Sequence, residues 1–548
     1  MAQRDVRHAH PHGKGLGRAA GGFSQGGNQD GFRVITPPVI PERKLVASPG
    51  PKRQMPFWQK ALVAVFVAPP VLVILASTGL DIYGSSKLKA ATREAQRKGF
   101  ALSMRQYLAK QPGLSEAGNA ANCYEAALSF LRAEPAPAAE APVPLVGIVP
   151  LTSGRRLSKE DQKVFDDVKK VETDPREPMP QYVLAATKAF IERQREPINL
   201  IARGAELADC RYHVHWEELN RDLWFLWRVR QAERLLALAA WVDAEEGRPS
   251  EAAAKVREGM ALAMSLRDEP DTLPALVVMS ASDTVGTGLS RVVSRCDLAN
   301  DDLLAIQKDC QKYDALFSMR PALEGDMAGL CDIYDALIRG RVALREYVGQ
   351  LESPSPPFYS TKEDRWLTRG VLFLARGYIR ADEATMIRVH MKFLEHAVDP
   401  QAPPVKRGDP FCQEMAESKM LMSVAFSGAL VYKTEQAELL HAKLRATAAC
   451  MAAMRYRNDN GKWPESLEAL VPKYIEKAPT DPMSDKEIIY KVRDDGILVY
   501  SVGRNGVDDG GKGFVILPEK GDTGDYDDVG FRVLRQAAAP GETKGEAK

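Results

Sequence analysis

From Ala61 to Leu80 the chain reads ALVAVFVAPPVLVILASTGL, twenty residues without a charged side chain. A helix rises 1.5 Å per residue, so such a run spans about 30 Å, the thickness of a bilayer's hydrocarbon core. Trp58 and Tyr83 flank it, where rings with one polar end favour the membrane interface. These features predict a transmembrane helix over residues 57–83, kinked at Pro69-Pro70. The run is too long, and begins too far into the chain, for a cleaved signal peptide. Five basic residues stand close to each end, so the local charge balance is even, and the five further basic residues of the tail favour a cytoplasmic N-terminus. Residues 1–56 are rich in Gly, Arg, Pro, Gln and His and carry few large apolar side chains. They read as a disordered cytoplasmic tail, with His8, His10 and His12 as solvated residues.

Net charge is +1, but ten basic and only three acidic residues fall within the first sixty. The remainder is mildly acidic, which argues against nucleic acid as a partner, since that needs a dense basic surface. Seven cysteines are scattered without a C-x-x-C pair or zinc spacing. They read as small buried hydrophobes, and the alternative, in an oxidising compartment, is pairing of Cys296 with Cys310 or Cys331 with Cys412.

Residues 85–433 are dominated by helix-favouring residues and carry almost no strand signal. Leu223, Trp224, Trp227, Leu235, Leu238, Trp241 and Val242 fall on one broad face at helical spacing. Gly247 suits a left-handed helix end and Pro249 the start of the next helix, whose stripe is Ala252, Val256, Met260, Ala263 and Leu266. The Gly-x-x-x-Glu-Ala turn of this hairpin resembles half of a tetratricopeptide repeat, but no 34-residue period recurs. The expected body is an irregular helical array, divided by proline-rich breaks at Glu134–Pro150, Ser353–Pro357 and Pro400–Pro410. The string Cys210-Arg-Tyr-His-Val-His-Trp216 would put His213 and His215 on one face if extended. No acidic or cysteine partner stands at a ligand spacing, so aromatic packing against the Trp224/Trp227 helix is expected there.

No H-E-x-x-H or G-x-G-x-x-G occurs. The one G-x-S-x-G string, Gly22–Gly26, lies in the tail, where no strand and helix can form a nucleophile elbow. Gly506–Lys512 has P-loop-like spacing, but Gly513 stands where the metal-binding Ser or Thr is required. The acidic pairs Asp166-Asp167 and Asp301-Asp302 read as solvated helix faces or caps.

The C-terminal region has a more specific pattern. A helix is expected over Glu435–Arg457, with Ala437, Leu440, Leu444, Ala448 and Met451 on one stripe, stopping at Asn458-Asp-Asn-Gly461. Pro464 opens a short helix over Glu465–Leu470, and Pro479-Thr-Asp-Pro482 makes a rigid turn. Strands are expected at Glu487–Val492, Gly496–Val502 and Val529–Leu534. The strings Tyr456–Tyr474, Pro479–Pro482, Tyr500–Gly506 and Asp527–Val529, in this order, resemble the C-terminal domain of the type II secretion system major pseudopilin (protein G-like). The processing site of that family, Gly-Phe followed by a Glu inside the apolar helix, is absent; Met55-Pro-Phe-Trp-Gln-Lys60 stands there instead. The apolar helix is also separated from the domain by most of the chain, whereas the family joins them directly.

The expected fold is therefore mainly α: one transmembrane helix, an irregular helical-repeat, tetratricopeptide-like body over 85–433, a small α+β pseudopilin-like domain over 434–536 and a disordered tail over 537–548. The resemblance implies a bacterial inner-membrane protein with a periplasmic body, not itself a pilus subunit, that binds secretion or envelope proteins. It also implies one Ca²⁺, held by the carbonyls of Val502 and Val507, the side chain of Asn505 and the carboxylates of Asp527 and Asp528. Asn505 stands where the family has Asp; Asp508, Asp509, Asp522 and Asp525 in the longer loop are candidates to restore that charge. The rival expectation is an extracytoplasmic hydrolase with its site in the helical body.

Overall fold

A computed structural model describes residues 55–131, 159–219, 221–339, 341, 364–398, 410–417, 420–512 and 527–535. The tail motifs, the three proline-rich breaks (apart from Pro410), Gly513, Asp522, Asp525 and residues 537–548 lie outside these. The described chain is mainly helical with one three-stranded antiparallel sheet, and it divides into two compact units, Met1–Val67 and Ala68–Lys548.

The described part of the first unit is α1 (Phe57–Leu62) followed by a π-helical turn, Val63–Val67. The prolines explain the turn: Pro69 and Pro70 have no N–H for the carbonyls of Val65 and Phe66, so the regular ladder loosens just before them. Helical structure runs on to Arg97, and Phe57–Arg97 is the one helix among the described residues long and apolar enough to cross a membrane.

In the second unit the helices are α2 (Ala68–Arg97), α3 (Met104–Lys110), α4 (Ala121–Phe130), α5 (Lys159–Thr173), α6 (Gln181–Arg193), α7 (Arg195–Ala205), α8 (Trp224–Glu245) and α9 (Pro249–Met264). They continue with α10 (Thr272–Arg295), α11 (Asn300–Leu316), α12 (Arg320–Ile338), α13 (Asp364–Val398), α14 (Pro410–Glu417) and α15 (Leu421–Asn460). The strands are β1 (Ile489–Arg493), β2 (Gly496–Ser501) and β3 (Val529–Leu534), in that spatial order. No strand occurs between 85 and 433 among the described residues.

The α8–α9 hairpin forms as its turn residues dictate: Gly247 has φ 72° and Pro249 is the first residue of α9. The stripe on α8 differs from expectation. Trp224 and Trp227 are 39% and 52% exposed, while Phe225, Leu226 and Val229 enter the core. Tyr212 stacks on Phe225 with ring centroids 4.4 Å apart, which fixes the rotation of the helix. The displaced rings lie under cations instead, Trp224 beneath Arg228 and Trp227 beneath Arg230.

Farther along α8, Trp241 is covered by Arg291 of α10, which is 1% exposed. Arg291 donates to Glu245 at 2.8 Å and to the carbonyls of Val171 and Glu177 at 2.9 and 2.7 Å. This cation ties α10, α8 and the segment after α5 together in one network. The cysteines are free; Cys310, Cys331 and Cys450 are buried as small hydrophobes, and neither alternative pair forms.

The C-terminal region is fused to the body. α15 begins at Leu421, so the expected boundary at 433/434 falls inside one continuous helix, which ends where Gly461 takes φ 72°. Its second half is lined with small residues, Ala446, Ala449, Cys450, Ala452 and Ala453, all nearly fully buried. They let the sheet approach closely: Cys450 Sγ lies 3.6 Å from the Phe531 carbonyl. β1 and β2 form a hairpin closed by Asp494-Asp495, with Arg493 opposite Gly496, and β3 pairs with β2 from Gly496↔Leu534 to Ser501↔Val529. The other side of α15 meets α11, where Arg455 donates to Gln307 and Gln307 donates to the Tyr474 carbonyl at 2.8 Å.

Candidate functional sites

Two places gather chemistry-bearing side chains. The first is the loop expected to bind calcium. Gly503, at φ 63°, lies against the Asp527 backbone so closely that a Cβ would stand 1.7 Å from the Asp527 oxygen. Only glycine fits such an approach. It brings the 502–507 loop beside Asp527 and Asp528, joining the segments that carry the five expected ligands.

Most of the polar atoms there already have partners. Asn505 Oδ1 accepts from Val507 N at 2.9 Å, and Asn505 Nδ2 donates to Asp509 Oδ2 at 2.9 Å. Asp509 Oδ2 also accepts from Asp527 N, and Asp527 Oδ1 lies 3.7 Å from Arg504. Asp508 is held by the Tyr500 hydroxyl, Gly510 N and Lys491. Asp528 is fully buried; its Oδ2 accepts from Gly511 N at 2.7 Å, and its Oδ1 has no hydrogen-bond partner among the described residues. Burial raises its pKa, and the neighbouring Asp509 and Asp508 push the same way. No three metal-ligating side chains converge among the described residues. The unpartnered Asp528 carboxylate oxygen is a donor of the kind a hard cation takes, while Asp508 and Asp509 are already bonded.

The second place is a separate polar cleft of about 520 Å³ lined by residues of 99–114, 209–211, 268–269 and 320–324. α12 passes against the turn after α9 so closely that a Cβ on Gly325 would stand 2.2 Å from the Pro270 oxygen. That contact sets Glu324 and Glu269 into the same cleft, with Tyr107, Lys110, Arg211 and Arg320 around them. Glu269 is 3% exposed and accepts from Tyr212 N at 3.0 Å and from the Trp216 indole at 3.1 Å. Burial pushes its pKa up to about 7, against the lowering pull of those two bonds. Glu324 accepts from Ala101 N at 3.1 Å and pairs with Lys110 at 3.3 Å. Burial raises the Tyr107 hydroxyl and the Cys210 thiol above their usual ranges, so both stay protonated at neutral pH.

The His213/His215 segment reaches this cleft by way of Tyr212 and Trp216. His213 itself bonds Glu125 at 3.0 Å, and Tyr212 packs on the Trp224/Trp227 helix as expected, through Phe225. Nothing in the sequence marks Glu269, within Arg267-Asp-Glu-Pro-Asp271, or Glu324, two residues before Asp326: neither belongs to a motif, and only the close passage of α12 unites them.

Comparison with family models, with curated proteins and with solved structures gives no match.

Proposed function

We propose that the chain is a single-pass bacterial inner-membrane protein. It presents an irregular helical-repeat scaffold and a pseudopilin-like domain to protein partners in the periplasm, among secretion or envelope components. The observation that carries this reading is α15, one helix shared by body and sheet, followed by a short 3₁₀ turn at Glu468–Leu470 and three antiparallel strands. That is the element order the resemblance implies, and its rigid union with the helical body makes one extended binding surface rather than a detachable module. The membrane anchor is supported by exposure: only 6% of the apolar window is buried, which a core helix would not tolerate. The loop is proposed to hold one Ca²⁺ through Asp527, Asp528, Asn505 and the carbonyls of Val502 and Val507, with Asp509 supplying the charge that Asn505 lacks.

Alkaline phosphatase fusions test the topology. Fusions after residue 83 are expected to be active and fusions before residue 57 inactive; the reverse pattern overturns the reading. Cross-linking of the full chain in membranes is expected to capture pseudopilus or other secretion subunits, and their absence from the cross-linked products removes the assigned partner class.

A second reading, an extracytoplasmic hydrolase, is favoured by Glu269, whose proton is retained near neutral pH in a cleft with Glu324 and three cations. As a proton donor it would serve general acid catalysis. Turnover of chromogenic glycosides, esters or phosphates by the full chain, lost in Glu269→Gln, is the expected result under this reading; no turnover across the panel eliminates it.

A further inference from the structure

A separate cleft of about 270 Å³ opens between α9, α10, α11, α15 and β3. Its walls include Met260, Met264, Leu289, Leu440, Leu444 and Phe531, each more than nine-tenths buried.

Two polar groups on the same walls have no partner. Ser290 Oγ is buried and makes no hydrogen bond among the described residues. The Arg532 guanidinium likewise makes no hydrogen bond or ion pair with them. The carboxylates of Asp174 and Asp495 act on it only through space, and both are engaged by Arg176 at 2.9 and 3.6 Å. Burial lowers the pKa of Arg532, a penalty that an anion would offset. The remaining charges of the cleft, Asp283 and Lys443, neutralise each other at 2.5 Å. An apolar trough therefore carries one uncompensated cation and one spare hydroxyl.

We propose that this cleft binds one anionic amphiphile, with its alkyl chain along the Met, Leu and Phe side chains and its acidic head on Arg532. At roughly 30 Å³ per water-sized group, the volume accepts a chain of about eight to ten carbons. The ligand bridges α9, α10 and α11 to α15 and β3, so it fastens the C-terminal sheet to the body. Its source is either a soluble medium-chain carboxylate or an acidic lipid of the membrane beside which the apolar helix would hold the protein.

The test uses the full chain in phosphatidylcholine nanodiscs, titrated with decanoate, decanol and decyltrimethylammonium, with empty nanodiscs as the blank. Saturable decanoate binding is expected, at least tenfold tighter than decanol, with decyltrimethylammonium weaker still. Arg532→Gln should reduce decanoate to the level of decanol. Gly286→Leu should abolish binding of all three while leaving the melting temperature unchanged or higher, since a Cβ on Gly286 meets nothing within 4 Å and the side chain enters open space. Competition by phosphatidylglycerol in the nanodisc assigns the head to a lipid, and no competition assigns it to a free carboxylate. Absence of saturable decanoate binding overturns the proposal. So does equal affinity for the cationic analogue, or unchanged binding in both variants.

Discussion

Gly84 of α2 and Gly377 of α13 meet backbone to backbone: a Cβ on Gly84 would stand 2.0 Å from the Gly377 oxygen, and one on Gly377 would stand 2.4 Å from the Asp81 nitrogen. Polar contacts reinforce the crossing. Arg376 and Arg380 both pair with Asp81, and the Ser77 hydroxyl donates to the Leu374 carbonyl at 3.0 Å. α13 is thus locked along the apolar helix, and its own exposed Val371, Phe373 and Leu374 extend the apolar surface that α2 offers.

A methyl at this crossing has only backbone to displace. Gly377→Val is expected to destabilise the chain by about 1–3 kcal/mol, the usual cost of overpacking. Gly370→Ala on the same helix meets nothing within 4 Å and should gain up to about 1 kcal/mol through helix propensity. Thermal unfolding of the two variants in one detergent decides the matter; equal shifts would show that the crossing carries no strain.

Arg291 and Glu245 offer a second test. With exposures of 1% and 6%, they form a buried pair whose separation leaves a charge in the core. Arg291→Met is expected to cost about 3–5 kcal/mol. Arg295 also bonds Glu245, at 3.0 and 3.1 Å, and should soften the loss. The double variant Arg291→Met/Glu245→Gln should recover part of it. Urea unfolding of the single and double variants measures the coupling; strict additivity would mean the pair contributes nothing.

Much of this was legible from the residues, and what was not has a physical cause. The C-terminal strands and the Gly461 and Gly247 turns follow from local chemistry: turn residues act within a few positions, and alternation or capping is written in the chain itself. The rotation of α8 is not local. Trp224 and Phe225 are adjacent and equally apolar, and the choice between them is made by Tyr212, a residue from a different segment. Glu269, Glu324 and Arg532 were invisible for the same reason, since a charged residue outside any motif acquires its role only from the elements that close around it. The loop from Val502 to Val507 with Asp527-Asp528 is singled out only through the resemblance to a family, not by turn or capping chemistry of its own.

Glu269 makes stability depend on pH. An unfolded carboxyl of this type titrates near 4.5 and the folded one near 7, so between these values the folded chain binds the extra proton. The stability from this group is complete below 4.5 and is lost as pH rises to about 7, roughly 3 kcal/mol over the window. Glu383, held up to about 8 by burial, acts in the same direction. His390, lowered to about 4 by burial, opposes them, because its contribution is lost as pH falls below 6.5. Glu269→Gln removes one carboxyl from this balance. The stability difference between wild type and variant should change steeply from pH 4.5 to 7 and be flat above; a difference independent of pH would mean that Glu269 titrates normally.

The loop proposed to hold Ca²⁺ yields the last prediction. Asp528 Oδ1 is buried without a hydrogen-bond partner among the described residues, and burial raises the pKa of its carboxyl. A cation bound only by the folded state stabilises it by mass action, by about 2.7 kcal/mol at a hundred times its dissociation constant. Because α15 joins the sheet to the body, the full chain is the proper sample. Millimolar Ca²⁺ is expected to raise its melting temperature relative to chelator, and Mg²⁺ to do so less, since the smaller ion demands a stricter octahedron. Asn505→Asp restores a third carboxylate and should strengthen the response. Asp527→Ala/Asp528→Ala should remove the response while relieving the buried charge, so that the variant in chelator melts no lower than expected from lost packing alone. An equal Ca²⁺ shift in wild type and the double variant, or no shift in Asn505→Asp, would leave the loop a turn whose acids are satisfied by backbone N–H groups, Tyr500, Lys491 and Arg504.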